Sequence, residues 1–260
     1  MKHRLTGTRL EPLLQRTAWI LSAWRRHTHP ELWDLYLEPG RMRLALQHLV
    51  EQHWTCVDVG AHIGSVLVQL LRLAPYGNHI AFEPSPQKAD WLRARFPTVE
   101  VHQAALGSTA GHADFFEDVD RPGLSGLGRR DGVGARTSVY RVPVETLDEV
   151  IRDREVHFVK LDVEGAELPA LRGASVTLQR YHPALLFECG PQWSLEPFGY
   201  DRADLHRFLV ETGYDVYSVS DFLYGRPPMS SAEFGKAGTY PFSGFNYLAL
   251  PTGTPVARLL

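Results

Sequence analysis

The sequence predicts an α/β domain: a mostly parallel β-sheet with helices on both faces, preceded by a helical extension. Two observations carry this expectation. From Trp54 onward, short β-rich apolar runs alternate with stretches of helical periodicity, the βαβαβ rhythm of parallel strands joined by right-handed crossovers. The composition, 44% hydrophobic and 22% charged over 260 residues, is that of a folded globular chain.

Residues from about Leu10 to Val50 read as helical. Leu10, Leu13, Leu14, Thr17, Ile20, Leu21 and Trp24 recur with a 3.6-residue period. Pro30 and the Pro39-Gly40 pair are expected to divide this region into two or three helices. Residues 1–50 are read as a unit apart from a domain over 51–260. They form a helical cap, a dimer contact, or a lid offering Trp19, Trp24, Trp33 and Tyr36 to a ligand.

Thr55–Val59 is the first strand, ended by Gly60, and Ile63–Leu73 the first crossover helix, with Ile63, Val66, Leu67, Leu70 and Leu71 on one face. His79–Phe82, Pro86–Phe96 and Val99–Gln103 continue as strand, helix and strand. His112–Phe116 and Ser138–Val142 are expected to pair across a long loop. Thr146–Ile151 is a short helix, Val156–Leu161 and Ala184–Phe187 are buried strands, and Arg202–Thr212 is a helix. Asp215–Val219 and Tyr247–Leu250 make a closing pair. Gly123–Gly134, with five glycines, is either a surface loop or a binding loop. Gly225–Gly244, with Pro227, Pro228 and Pro241, reads as an irregular excursion.

Three motifs carry chemistry. The first is Val57-Asp58-Val59-Gly60-Ala61-His62-Ile63-Gly64, where strand turns into helix. Gly60 permits a sharp turn and close approach of a ligand, and Gly64 permits close packing of the helix start. The unpaired N–H groups there suit a carboxylate or phosphate. A dinucleotide fingerprint needs G-x-G-x-x-G, and His62 breaks it. Asp58 would repel a phosphate and suits a ligand with ammonium and sulfonium groups. The second motif is Phe82-Glu83-Pro84, an acid about 20 residues past the turn, placed to accept hydrogen bonds from ribose hydroxyls. Ala104 and Ala105, after the third strand, leave room for a flat adenine ring. The third is Lys160-Leu161-Asp162-Val163-Glu164-Gly165-Ala166-Glu167. Alternation places Lys160, Asp162 and Glu164 on one face if strand geometry persists, and Glu167 falls in the first turn of the next helix. All three lie at the carboxyl edge, where open α/β sheets bind ligands.

The Asp-x-Gly-x-x-x-Gly spacing resembles the first motif of class I S-adenosylmethionine-dependent methyltransferases. With Phe82-Glu83-Pro84, Lys160 to Glu167, Leu171-Arg172-Gly173-Ala174, Pro183 to Glu188 and Phe245 to Pro251, the chain resembles the FkbM family of these enzymes from about Trp54 to Pro251. The resemblance implies a Rossmann-like, seven-stranded, mostly parallel sheet and S-adenosyl-L-methionine as cofactor. It also implies methyl transfer to a hydroxyl, commonly on a sugar or a natural-product intermediate. His62 stands where the family usually has Asn, and its imidazole can still donate a hydrogen bond to the methionine carboxylate.

The cofactor side is assigned to Asp58, Gly60, His62, Gly64, Glu83, Pro84, Ala104, Ala105 and Asp162, with Asp162 on the ammonium group. Hydroxyl methylation needs a base within hydrogen-bond reach; Glu164 and Glu188 are the acceptor-side candidates, with Lys160 as orienting cation. Two carboxylates, Asp162 and Glu188, do not by themselves make a metal site, and no metal is assigned. The acceptor is read as a small molecule. Methylation at nitrogen, or a non-catalytic ligand-binding domain of the same fold, stay open as alternatives. The net charge of −3 and the lack of a basic stripe give no nucleic-acid footprint. No apolar run reaches the length of a membrane span, so no membrane insertion is expected. The two cysteines, Cys56 and Cys189, lie in apolar runs and read as reduced thiols of a cytoplasmic protein.

Overall fold

The computed structural model describes residues 27–118, 125–128 and 136–256. The periodic segment from Leu10 to Trp24, including Trp19, and most of Gly123–Gly134 lie outside the described residues.

Helix α1 spans Trp33–Leu49 without interruption. Pro39-Gly40 therefore does not break it, contrary to the sequence expectation. A proline inside a helix costs roughly 3 kcal/mol, and tertiary contacts offset this. Leu46 is 1% exposed, and burying a leucine contributes roughly 1.5–3 kcal/mol. Ala45 is buried beside it.

Strand β1 is Cys56–Val59. Helix α2 is Leu67–Leu73, later than the Ile63 start that periodicity suggests. The reason is backbone handedness: Gly60, His62 and Gly64 all have positive φ, at 71°, 52° and 84°, which no right-handed helix accommodates. Strand β2 (Ile80–Phe82), helix α3 (Pro86–Arg95) and strand β3 (Glu100–His102) follow as read. A small second sheet comes next: β4 (Ala105–Leu106), β5 (Gly111–Asp118) and β6 (Thr137–Glu145). The expected β5–β6 pairing is present and antiparallel, and the short β4 adds parallel to β6.

Helix α4 (Leu147–Ile151) leads to β7 (Phe158–Leu161). Helices α5 (Glu167–Arg172) and α6 (Ser175–Tyr181) cross to β8 (Ala184–Glu188). Then come α7 (Gln192–Leu195), α8 (Arg202–Glu211), β9 (Tyr214–Ser218), α9 (Val219–Leu223), α10 (Ser231–Ala237) and β10 (Asn246–Pro251). Helix α10 sits inside the stretch read as irregular. Its capping box was legible in Ser230 and Glu233, whose side chains each satisfy the other's backbone N–H.

The main sheet has seven strands in the order β3-β2-β1-β7-β8-β10-β9. Only β10 runs antiparallel to its neighbours, and the remaining pairs are parallel. Alternation along the strands sorts the core. Val57, Val59, Val159, Leu161 and Phe187 pack with Leu168, Leu205 and Phe234 on one face. Cys56, Phe158, Leu186 and Leu248 pack with Ala45, Leu46, Leu70 and Phe222 on the other. The C-terminal half of α1 thus helps build the second face. Among the described residues, no helix is long and apolar enough to cross a membrane.

Candidate active site

The site is built at the carboxyl ends of β1, β2, β7 and β8. The turn after β1 is held from two sides. Gly60 and Ala61 both donate backbone N–H to the Phe82 carbonyl at 3.0 Å. A Cβ on Gly60 would stand 1.8 Å from the Asp162 carbonyl oxygen, so only glycine lets β1 and β7 close here. A Cβ on Gly64 would meet the Phe96 ring at 2.6 Å, so that glycine makes room for the end of α3.

Glu83 lies 3% exposed at the end of β2. One carboxylate oxygen accepts from the His62 N–H at 2.8 Å and the other from the Ser85 N–H at 2.9 Å. Burial pushes its carboxyl up to about 7, against the pull of Lys88 and these two N–H donors.

Lys160 stands opposite Asp58 in the β1–β7 register. Its Nζ lies 3.3 Å from Asp58 and 3.4 Å from Asp162. It also donates to the carbonyls of Val59 and Gly60, at 3.2 and 2.8 Å. Burial alone would lower its pKa, but Asp58 and Asp162 together hold it above the ordinary lysine value. Burial pushes the fully buried Asp58 up, while Lys160 opposes the shift. Lys160 is thus committed to the underside of the glycine turn.

Asp162, Glu164 and Glu188 converge. Each offers an oxygen, and the three lie within 4.8 Å of one another. They do not meet by strand alternation, because β7 ends at Leu161 and Glu164 has φ of 55°. The turn swings Glu164 round instead. Burial, and then the charges of Asp162, Glu164 and Glu167, raise Glu188 to about 9. Nothing beyond proximity speaks for a metal among these three. Glu167 opens α5 as expected and is buried. It accepts from the Gly165 N–H and shares a 3.0 Å hydrogen bond with the Tyr200 hydroxyl, and burial raises it to about 7.

A cavity of about 670 Å³, its mouth included, opens over these residues. Gly60, His62, Glu83 and Pro84 form one wall, Ala104 and Ala105 another, and Asp162 and Glu164 a third. Asp58, Gly64, Lys160 and Glu188 are not on its wall. The sequence reading missed Phe115 and Lys88, which also line it, whereas Ser125 and Leu127 line it as the binding-loop alternative for the glycine-rich segment expected. Ser125–Leu127 belongs to the glycine-rich segment. Gly126 exchanges backbone hydrogen bonds with Phe116, at 2.9 and 3.1 Å, and a Cβ there would stand 3.2 Å from that of Glu164. Lys88 is paired with Glu117 of β5 at 2.8 Å, which ties the second sheet to α3. Arg202 was missed as well. It is 4% exposed, donates to the Cys189 and Gly190 carbonyls and to the Tyr247 hydroxyl, and lies over the Phe234 ring. Only tertiary structure reveals such partners.

Sheet order, glycine turn, strand-end acid and an acid-lined cavity define a domain of the class that binds a nucleoside-bearing cation at the carboxyl edge. The comparisons agree. The model of the Methyltransferase FkbM domain matches residues 58–216, more than half of the chain. The chain belongs to that family, and its cofactor is S-adenosylmethionine. The Haloferax volcanii hexuronic acid methyltransferase AglP is 28% identical over 186 residues, covering 67% of this chain and 73% of its own. Methyltransferase 1 of Beauveria bassiana is 28% identical over 141 residues, covering 45% of this chain and 57% of its own. Among solved structures, the methyltransferase FkbM of Methylobacillus flagellatus superposes with TM-score 0.49 at 18% identity, over 77% of this chain and 44% of that one. The Streptococcus mutans protein SMU.1697c, solved with SAH, gives TM-score 0.47 at 10% identity, over 82% and 97%. The chain therefore spans just over half the length of the fungal relative and under half of the Methylobacillus chain.

The residues present fit the cofactor. The turn beside the cavity tolerates no side chain at Gly60, small residues Ala104 and Ala105 line another wall, and a buried acid stands at the rim.

Proposed function

We propose that this chain methylates a hydroxyl of a small molecule, a sugar or a natural-product intermediate. The observation that carries the proposal is the convergence of Asp162, Glu164 and Glu188 beside the cavity formed by the Gly60 turn and Glu83. When bound, S-adenosylmethionine supplies an already activated methyl group on a cationic sulfur.

On this reading the chain's own residues do four things. Glu83, buried and preoriented by two backbone donors, takes the ribose hydroxyls on its remaining lone pairs. Ala104 and Ala105 leave a flat slot for the adenine. Asp162 and the Gly60 turn receive the amino-acid end, with His62 on the same wall to meet its carboxylate. Glu164, on the wall, takes the acceptor's proton, while Glu188 behind it holds a proton at neutral pH because burial, and then three neighbouring acids, disfavour its charged form. Lys160 fixes the turn from below and does not touch the acceptor. Similarity to a hexuronic acid methyltransferase supports a sugar-type acceptor.

The test is transfer of labelled methyl from S-adenosylmethionine to a panel of neutral glycosides, uronic acid glycosides, phenols and amines. Glu164→Gln is expected to slow turnover by roughly 100- to 10,000-fold, the span of general-base catalysis, and to leave cofactor affinity within a few-fold. Equal loss of both moves Glu164 to the cofactor side. Labelling of amines alone defeats the hydroxyl reading.

A further inference from the structure

The family match ends at residue 216, yet two residues outside it meet the reaction edge. Glu38 lies in the middle of α1 and is half-buried. One of its carboxylate oxygens accepts the backbone N–H groups of Phe245, at 2.9 Å, and Asn246, at 3.0 Å. The other accepts the Asn246 side-chain N–H at 3.0 Å. A Cβ on Gly244 would stand 2.7 Å from Glu38 Oε1, so the carboxylate rests on bare backbone. This is a three-donor clamp on the first residues of β10.

What the clamp holds is beside Glu188. Asn246 and Glu188 are direct partners in the antiparallel β8–β10 register. Direct partners project from the same face of a sheet, with Cβ atoms roughly 4.5–5.5 Å apart. That face is the one α1 covers: Leu186 and Leu248, two residues along from each, pack with Ala45 and Leu46. Asp58 is opposite Lys160 and Lys160 opposite Leu186, so Asp58 and Lys160 lie on this same face, one pleat back from Glu188. Only the NH₂ end of a carboxamide can face a carboxylate. Glu38 therefore fixes which way Asn246 points, turning its oxygen away from α1.

We propose that Glu38 is a positioning residue: it holds Asn246 with its carboxamide oxygen toward Glu188, so that the N-terminal helix is a structural part of the reaction edge. Asn246 then offers an uncharged acceptor to a Glu188 otherwise surrounded by Asp162, Glu164 and Glu167, with Lys160 the one opposing charge among the described groups that act on it most strongly. Freed from Glu38, the carboxamide turns its N–H groups to Glu188 and favours the ionised form. The role given to Glu188 rests on the function proposed above, so the test is read without an acceptor.

The experiment is calorimetric binding of S-adenosylmethionine between pH 6 and 10, in buffer pairs of different ionisation enthalpy. The wild type is expected to release protons on binding, because an incoming cation lowers the pKa of Glu188, with the apo midpoint near 9. Glu188→Gln removes that release; if release persists unchanged, another group titrates and the inference falls. Glu38→Gln is expected to lower the midpoint by about one pH unit, and Asn246→Asp, which adds a like charge, to raise it by about as much. A clamp that is merely structural lowers the unfolding temperature in both variants and leaves the midpoint in place, which overturns the proposal. Should Glu38→Gln fail to fold, Asn246→Leu, which removes the carboxamide without adding charge, decides: a lowered midpoint supports the proposal and an unchanged one overturns it. If the midpoints shift but no acceptor hydroxyl is ever methylated, the clamp stands and the proposed function does not.

Discussion

Glu83→Gln isolates what one buried carboxylate does for the site. Glutamine keeps the shape and one oxygen, but Glu83 uses both oxygens, on the N–H groups of His62 and Ser85 at 2.8 and 2.9 Å. In the variant one of those donors faces an NH₂ group and loses its acceptor. An unsatisfied buried donor costs roughly 1–3 kcal/mol. Losing the charged acceptor for the ribose adds to this, so cofactor affinity is expected to fall by roughly ten- to hundredfold, about 1.4 kcal/mol per decade. The same change alters the pH dependence of stability. Glu83 titrates near 4.5 unfolded and about 7 folded, so between those values the folded state binds more protons. Its contribution is greatest below about 4.5, falls as pH rises toward 7 and is level beyond; a gap of this size corresponds to roughly 3 kcal/mol. Glutamine cannot titrate, and the variant should lose that slope. The assay is titration with S-adenosylhomocysteine by calorimetry, with urea unfolding at pH 5 and pH 8. Affinity within twofold of wild type, with the slope retained, refutes both the ribose role and the turn-holding role.

Gly60→Ala is expected to fold, by circular dichroism, but to bind cofactor at least a hundredfold more weakly. A left-handed alanine costs roughly 1–2 kcal/mol, and its Cβ meets the Asp162 carbonyl oxygen at 1.8 Å, which only a shift of β7 relieves. Wild-type affinity in this variant contradicts the site. Asp58→Asn removes half of a buried pair and should destabilise toward the lower end of roughly 3–5 kcal/mol, since Asp162 still faces Lys160 at 3.4 Å. Combined with Lys160→Met, the loss should be smaller than the sum of the two single losses; strict additivity in denaturant melts would show that the pair is not coupled.

Much of this fold was legible because its strands are short, apolar and bounded by residues with one reading. Gly60, Glu83 and Asp162 each end or follow a strand, and in a parallel sheet every strand end of that kind falls on one edge. The legible part stops where backbone handedness or distant partners decide. Periodicity alone favours a helix from Ile63, but it does not register the φ of 52° at His62. Proline statistics favour a break at Pro39, but they do not register that Leu46 and Glu38 anchor the helix on either side of it. Alternation predicted that Asp162 and Glu164 share a face. They do converge, through a left-handed turn at Glu164 that no strand pattern encodes. Arg202 and Lys88 were invisible for a different reason. Their partners, Tyr247 and Glu117, are 45 and 29 residues away in sequence, and only folding brings them near.

The charge arrangement of the edge also selects the ligand. At the cavity wall stand Glu83, Asp162 and Glu164, with Asp58 behind them. The two lysines nearby are spent: Lys160 on Asp58, Asp162 and two carbonyls, Lys88 on Glu117. Among the described residues that line the cavity, Lys88 is the one lysine or arginine. A unit negative charge about 5 Å from one of these carboxylates is disfavoured by roughly 3 kcal/mol at an effective dielectric constant near 20, and a unit positive charge is favoured by as much. A pyrophosphate brought into this cavity meets several such carboxylates without an arginine or free lysine to offset them. A sulfonium and an ammonium meet the same groups with the opposite sign. Titration of NAD and of S-adenosylmethionine into the same protein should therefore give binding for the second and no detectable heat for the first at millimolar concentration. Salt should weaken the second only modestly, because Glu83 is buried and Asp162 and Glu164 are only partly exposed, so screening of these groups is incomplete. Micromolar binding of NAD would mean that the acids of this edge do not set its preference, and the electrostatic reading of the site would have to be abandoned.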